Sequence, residues 1–562
     1  MRIITLLITL FFVQIASSQT PDWEWARNMD IHFNTVKQFS VVDSNGDIIV
    51  ITDFITPTIT FGGITVSNYS PSYYYADIAI AKYDNQGNVI WAKSFGGPRV
   101  DQATSITADD SGNFYIAGGF MDSITFDSVT LTGNPTGNFI VKFDANGNVV
   151  FAKKVTEDNS ATVVNVLKTD ANQNIYLTGI FNSPSVTFGT IVLNNEGYSS
   201  AGSSNRTYVA KMDNQGNYLW VKMAQSSDAH PVGIVSYGLD VDTNGNVYTG
   251  GYFGCHTIRF GTITLTKTIT ASYNMNMYLV KYDSNGNEIW GRNTGSNYEN
   301  ETSTRAVKTD LENNVYAAGY YTNTVNFGNT TLMSSGGSQQ FIVKYDPNGN
   351  VLWAKAANSN FGYNSVHSLD VDENNDLYTA GTFINTQMDF GNGVTLTNPV
   401  STDGALFVVK YTPQGQAIWA RKALSLNGNN TLSMDCKTQN EIYITGTFNN
   451  PTLTFGSQMI TKSETSSNLF LAKLYYEPLS TTDWNQNQIK IFPNPVKEQL
   501  TISQPDLYKA YSLFNLLGVK VKEGSIRPET GTIDLSLLAK GVYLLQLQNP
   551  EANPETIKII KE

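Results

Sequence analysis

The chain has 562 residues, 41% hydrophobic and 12% aromatic with 45 glycines, enough apolar material for more than one packed core. Its formal net charge of −12 argues against a nucleic-acid partner, whose phosphates require a basic surface. Cys255 and Cys436 fall in non-adjacent repeats, so no mutual disulfide is expected.

Residues 1–18 begin with Arg2, continue through an apolar run from Ile3 to Ala16 and end in Ser17-Ser18. A basic start, a short apolar core and small residues predict a secretory signal peptide, too short to span a membrane, with Gln19 the expected first residue of the mature chain. No cysteine follows that site, so no lipid anchor is expected there, and no later apolar stretch predicts a transmembrane segment.

After a strand around Trp25 the chain becomes repetitive. KYDNQGNVIWAK, starting at Lys82, returns in near-copies at Lys142, Lys211, Lys281, Lys344 and Lys410, spaced 60 to 70 residues apart. Each copy reads as a hairpin in which Gly87 and its counterparts supply the positive φ of the turn, while Asp84 and its counterparts hydrogen-bond their own backbone. The Asp-x-Asn-Gly-Asn string also resembles a calcium loop, but it lacks the late bidentate Glu of the EF-hand, and its spacing suits a turn.

A second signature, DSGNFYIAGGF from Asp110, recurs at Asp170, Asp242, Asp310 and Asp372 and predicts another strand, turn and strand. One repeat therefore holds four main strands. Between the second and third runs an excursion carrying Phe61, Phe126, Phe188, Phe260, Phe327, Phe390 or Phe455, with an added short strand expected after several of them. Apolar residues on both alternating sets, such as Val89 and Trp91 against Ile90 and Ala92, predict strands buried on both faces, as in a radial stack of sheets.

The Trp-Ala-Lys strand occurs seven times, from Trp25 to Trp419, and the Lys-x-Asp strand seven times, from Lys82 to Lys473. Because the chain opens on a fourth strand and closes on a third, the expected fold is an all-β, seven-bladed β-propeller closed by pairing of its amino- and carboxy-terminal strands. These hairpins resemble the bacterial SBBP repeats over residues 20–476. That resemblance implies a propeller and brings no catalytic residue with it.

Residues 477–488 read as a polar linker, and 489–562 as short alternating strands of a small Ig-like β-sandwich. Pro493-Asn494-Pro495, Leu517-Gly518, Lys540-Gly541-Val542-Tyr543 and the Lys-rich last strand resemble the carboxy-terminal sorting domain of the type IX secretion system. The resemblance implies a Bacteroidetes-type cell, recognition by the type IX machinery, and removal of the tail within 477–488. The chain would then be released or held on the outer-membrane surface.

The expected domains are thus signal peptide 1–18, propeller 19–476, linker 477–488 and sorting domain 489–562. The expected function is non-catalytic binding or adhesion by a monomer, with a glycan or a surface protein as ligand. Its contact surface is the Tyr-rich excursion between second and third strands, densest at Tyr69, Tyr73, Tyr74 and Tyr75. A propeller enzyme acting on polysaccharide and a purely structural surface component are the alternatives. No catalytic residue, cofactor or metal ligand is assigned, since the recurring Asp residues have a turn role in every copy. His256 beside Cys255, and His32, His230 and His367 near the starts of innermost strands, are expected in loop or capping roles.

Overall fold

The computed structural model describes residues 20–33, 38–70, 75–158, 162–196, 198, 205–226, 233–267, 274–294, 301–359, 362–399, 404–424, 432–438, 441–462, 467–476, 491–503, 505–515, 519–548 and 555–562. The proposed signal peptide, the linker 477–488, Leu517-Gly518, His230, Tyr73, Tyr74 and the side chain of His32 lie outside them. The chain forms two compact units, Met1–Glu477 and Pro478–Glu562.

The first unit is a seven-bladed β-propeller. Its innermost strands are Gln38–Val42, Asp101–Ala108, Thr162–Thr169, Ile234–Val241, Thr302–Thr309, Gly362–Val371 and Ser433–Thr438, each followed outward by three antiparallel partners. The seventh blade takes its outermost strand, Asp22–Phe33, from the start of the chain. That strand pairs with Ser467–Tyr475 in a register placing Trp25 opposite Lys473. Across the seam, Ser40 and Thr445 share a hydroxyl hydrogen bond of 3.0 Å, and Lys437 donates to the carbonyls of Asp43 and Ser44.

The repeated string staples one blade to the next. Asp84 Oδ1 accepts from the backbone N–H groups of Gln86 (3.0 Å) and Asn88 (2.8 Å), and Oδ2 accepts from the Asn88 amide, so the turn itself occupies the carboxylate. The turn glycine then lies on the tryptophan of the preceding blade. Trp220 lies under Gly286, Trp290 under Gly349, Trp353 under Gly415, and at the seam Trp25 under Gly87. Trp290 Nε1 and Lys281 Nζ both donate to the carbonyl of Pro347, at 3.0 Å each, and Trp353 and Lys344 share Pro413 in the same way. Blade six faces no such turn, because the chain leaves the ring after Tyr475; Trp419 donates to the Tyr476 hydroxyl instead.

Gly286 therefore has two reasons to be glycine: φ is +81°, and an added Cβ would sit 2.7 Å from the Trp220 ring. Gly286→Ala is expected to destabilise the propeller by about 2 kcal/mol. Chemical denaturation checks it, and an unchanged midpoint would remove the staple from the account.

The excursion forms a two-stranded hairpin rather than one added strand. Thr257–Phe260 with Ile263–Thr266 is an example; in blades two and five the hairpin continues the main strands without a break. Each repeated Phe is buried, and the following residue turns with φ between +50° and +59° in six blades. Asp127 replaces glycine there, tolerating the left-handed region through its short polar side chain. The hairpin reaches back to the preceding blade, pairing Ala224 with Phe260 and Ala423 with Phe455.

The expectation of strands buried on both faces holds for the third strand, where Asp77–Tyr83 is buried throughout, but not for the outermost. Ile90, Val150, Leu219, Ile289 and Leu352 are exposed, because a strand's side chains point to the faces of its sheet and one face of the outermost strand is left uncovered at these positions. Cys255 is buried, Cys436 half-buried, and no disulfide joins them.

The second unit is a small β-sandwich. One sheet holds Ile491–Phe492, Gln499–Ile502 and Thr532–Asp534; the other holds Lys520–Ser525, Ala510–Asn515, Gly541–Gln548 and Glu555–Lys561. Leu500, Leu513, Leu545, Leu547 and Ile559 close its core.

Candidate functional site

The innermost strands surround a central channel of about 1540 Å³. In five consecutive blades this strand carries one unpaired extra residue, a β-bulge, at Thr104, Asn165, Tyr237, Arg305 and His367. A bulge re-aims a side chain that regular alternation would turn into the blade. All five bulged residues line the channel. They lie toward the starts of the innermost strands, which is the end where the second strands finish and the excursions emerge.

Three residues farther along each strand, about 10 Å deeper at ~3.3 Å per residue, a second set stands opposite a recurring tyrosine of the second strand. Lys168 faces Tyr176, Asp240 faces Tyr248, Lys308 faces Tyr316, Asp370 faces Tyr378, and in blade seven Asp435 faces Tyr443. Charge of alternating sign ties neighbouring blades together here. Lys308 pairs with Asp370 at 2.8 Å, Asp370 accepts from the Cys436 backbone at 2.6 Å, and Asp240 accepts from the backbone and hydroxyl of Thr309 at 2.7 and 2.8 Å. Burial opposes the charge of Lys308, but Asp370 and then Asp240 outweigh it and hold the ammonium above the usual lysine range. Burial, then the charge of Asp370, pushes the Asp435 carboxyl up to about 7, against Lys168 and Lys308.

The upper end differs in character. The Arg305 guanidinium lies 4.4 Å over the Tyr237 ring and 5.3 Å over the Tyr320 ring, and the Tyr237 and Tyr252 rings pack 5.9 Å apart. Burial, then the nearby charge of Arg305, lowers the His367 imidazole to about 4, so it is neutral at physiological pH. Its Nε2 lies 3.1 Å from the Thr382 hydroxyl.

Residues singled out in the sequence are distributed differently. Tyr69 is 60% exposed on the first excursion, and Tyr75 lies under Arg99, which pairs with Asp122 at 2.9 Å. The aromatic group facing the channel comes from blades four to six instead. His367 is a channel residue; His256 is exposed on its blade. Among the described residues no group of three or more His, Cys, Asp or Glu could hold a metal ion. The channel residues were nonetheless marked in the sequence. Asn165, Tyr237, Arg305 and His367 each stand five positions before the repeated Asp, and Thr104 five before Asp109, which takes the turn role in place of Asp110 in blade two; at this offset the repeat changes residue type from blade to blade.

Residues 490–562 match the secretion system C-terminal sorting domain family, so the chain carries a type IX sorting domain and is an exported protein of the cell surface or extracellular space. An uncharacterised WD repeat-containing protein of Acanthamoeba polyphaga mimivirus is 25% identical over 74% of this chain, which spans 35% of that relative. Among solved structures, the Pan2 WD40 domain of Neurospora crassa is 10% identical over 68% of this chain and 91% of its own, with a TM-score of 0.34. Drosophila Semaphorin 2a is 8% identical over 94% and 97%, with a TM-score of 0.36. No helix among the described residues is long and apolar enough to cross a membrane.

Proposed function

We propose that this chain is a non-catalytic binding protein of SBBP-type repeats, secreted or displayed on the cell surface after entry through a signal peptide at 1–18. Its ligand is a glycan or a surface protein, engaged at the channel end where the excursions emerge. One observation carries this reading: five successive bulges turn five different side chains into one channel, while the repeated residues around them are consumed in holding blades together. Invariant residues build the ring; the variable ones face the space a ligand can enter.

A second reading, an enzyme acting on polysaccharide, draws on Asp435, a channel carboxyl that titrates near neutrality beside Asp370 and Lys308. Thermal unfolding against a panel of glycans and surface extracts tests the first reading. A ligand at ~100 times its dissociation constant stabilises by about 2.7 kcal/mol, a readable rise in Tm. An assay for new reducing ends on the same panel separates the two readings, and a panel with neither response would leave a structural role.

A further inference from the structure

Arg305 stands apart from the other cations of the inner ring. Lys308 is neutralised by Asp370 at 2.8 Å, whereas among the described residues no carboxylate pairs with Arg305. Glu301 lines the same mouth without reaching the guanidinium. The side chain is half-buried, projected into the channel by its bulge and held between Tyr237 and Tyr320. The Tyr237 ring holds the plane of the fork, the Tyr320 hydroxyl takes one of its donors, and those that remain suit bidentate recognition of a carboxylate.

Apart from Glu301, the groups around it are uncharged hydrogen-bonding partners: the Tyr237, Tyr252 and Tyr320 hydroxyls, Thr382, and His367 in its neutral form. Tyr363 adds a phenol ring, 62% exposed, at the same mouth. Hydroxyl-rich rings are what such a set of donors, acceptors and aromatic faces receives well. Deeper in the channel the charges are mixed, Lys168 and Lys308 beside Asp240, Asp370 and Asp435, with Lys308 paired to Asp370 at 2.8 Å.

We infer that the channel mouth binds an acidic saccharide, with the sugar carboxylate on the Arg305 guanidinium and the ring hydroxyls directed down the channel. This inference rests on the binding reading above and narrows it to a substrate class. The field of a molecule with net charge −12 opposes anions in general, so the preference comes from this one site and is lost with it.

The test is calorimetric titration of the purified full chain with oligomers of glucuronate and galacturonate, and with neutral glucose and galactose oligomers of the same length. Carboxylated oligomers are expected to bind at least 10-fold more tightly than their neutral counterparts. Arg305→Gln is expected to erase that ratio, and a Tm equal to that of the native chain shows that the loss is not one of folding. Arg305→Lys, which keeps the charge but loses the fork, is expected to recover only part of the ratio and guards against a folding artefact. Equal affinity for acidic and neutral oligomers, an acid preference that survives Arg305→Gln, or no binding of any acidic oligomer overturns the inference. If neutral glycans or a surface protein bind in that last case, the binding reading stands without this site; if nothing binds, both fall.

Discussion

Trp25→Ala is expected to destabilise the propeller by about 3–5 kcal/mol, the cost of emptying a buried tryptophan site and a large share of a typical stability of ~5–15 kcal/mol. Trp25 is 6% exposed, lies under Gly87 of blade one, and packs 6.3 Å from Tyr443 of its own blade. It thus does at the seam what Trp290 does between blades four and five, although its residue number places it almost the whole length of the propeller away from Tyr443 of its own blade. Trp290→Ala is expected to cost as much. The two positions part company on substitution by phenylalanine. Trp290 Nε1 donates to Pro347, whereas Trp25 Nε1 has no acceptor among the described residues, so Trp290→Phe is expected to lose about 1 kcal/mol more than Trp25→Phe. Denaturant titration of the four variants reads this out, and an unchanged midpoint for Trp25→Ala would mean that the ring is not closed by the amino-terminal strand.

Asp101→Asn is expected to stabilise the protein at pH 8 by about 2–4 kcal/mol and to flatten its pH dependence. Asp101 is fully buried where blades one and two meet; burial, then the charge of Asp77, pushes it up to about 9, and burial raises Asp77 to about 6. Asp53 faces the same place, accepting from the Ala103 backbone at 2.9 Å. Both pKa values are raised above their unfolded values. Their contribution to stability is therefore fully present below about 4, and is lost as pH rises through about 6 for Asp77 and about 9 for Asp101. Blade four puts a neutral group at the position of Asp77, where Asn276 donates to the Thr294 carbonyl at 2.7 Å, and blade six puts one at the position of Asp101, where Asn364 donates to Gln339 at 3.0 Å. Unfolding free energies from pH 4 to pH 9 check the claim. A native chain whose stability does not fall across that range, or an asparagine variant that is no more stable at pH 8, would show these carboxyls ionised at ordinary pH.

The ring was legible in the sequence because its chemistry repeats. Lys281 and Trp290 recur at one fixed offset, as Lys344 and Trp353 do, and counting the Trp strands against the Lys strands left Trp25 as the missing partner of Lys473. The hairpin on each excursion was only half legible. Phe260 and Gly261 marked its turn, but the pairing of Phe260 with Ala224 of the previous blade is a contact between repeats that no single repeat displays. The solvent-facing side of the outermost strand was misread for a related reason: Ile90 and Ala92 alternate like core residues, and only the place of the strand at the rim of its blade, with one face uncovered, exposes Ile90. The channel residues were the least legible. A bulge shifts the alternation by one residue without changing composition, so Arg305 reads as an ordinary polar position until its strand is paired with Val315–Phe327. Attention to what recurs leads to the scaffold, and attention to what varies at a fixed offset leads to the site.

The central claim is that a ligand binds where the bulged residues meet. Amide hydrogen exchange of the full chain, with and without the compound that raises Tm most in the panel, tests it most directly. Slowed exchange is expected in the innermost strands Asp101–Ala108, Thr162–Thr169, Ile234–Val241, Thr302–Thr309 and Gly362–Val371 and in the second-strand segments carrying Tyr252 and Tyr320. Protection confined instead to the outer strands carrying Ile90 and Leu352, with the innermost strands unchanged, would contradict it.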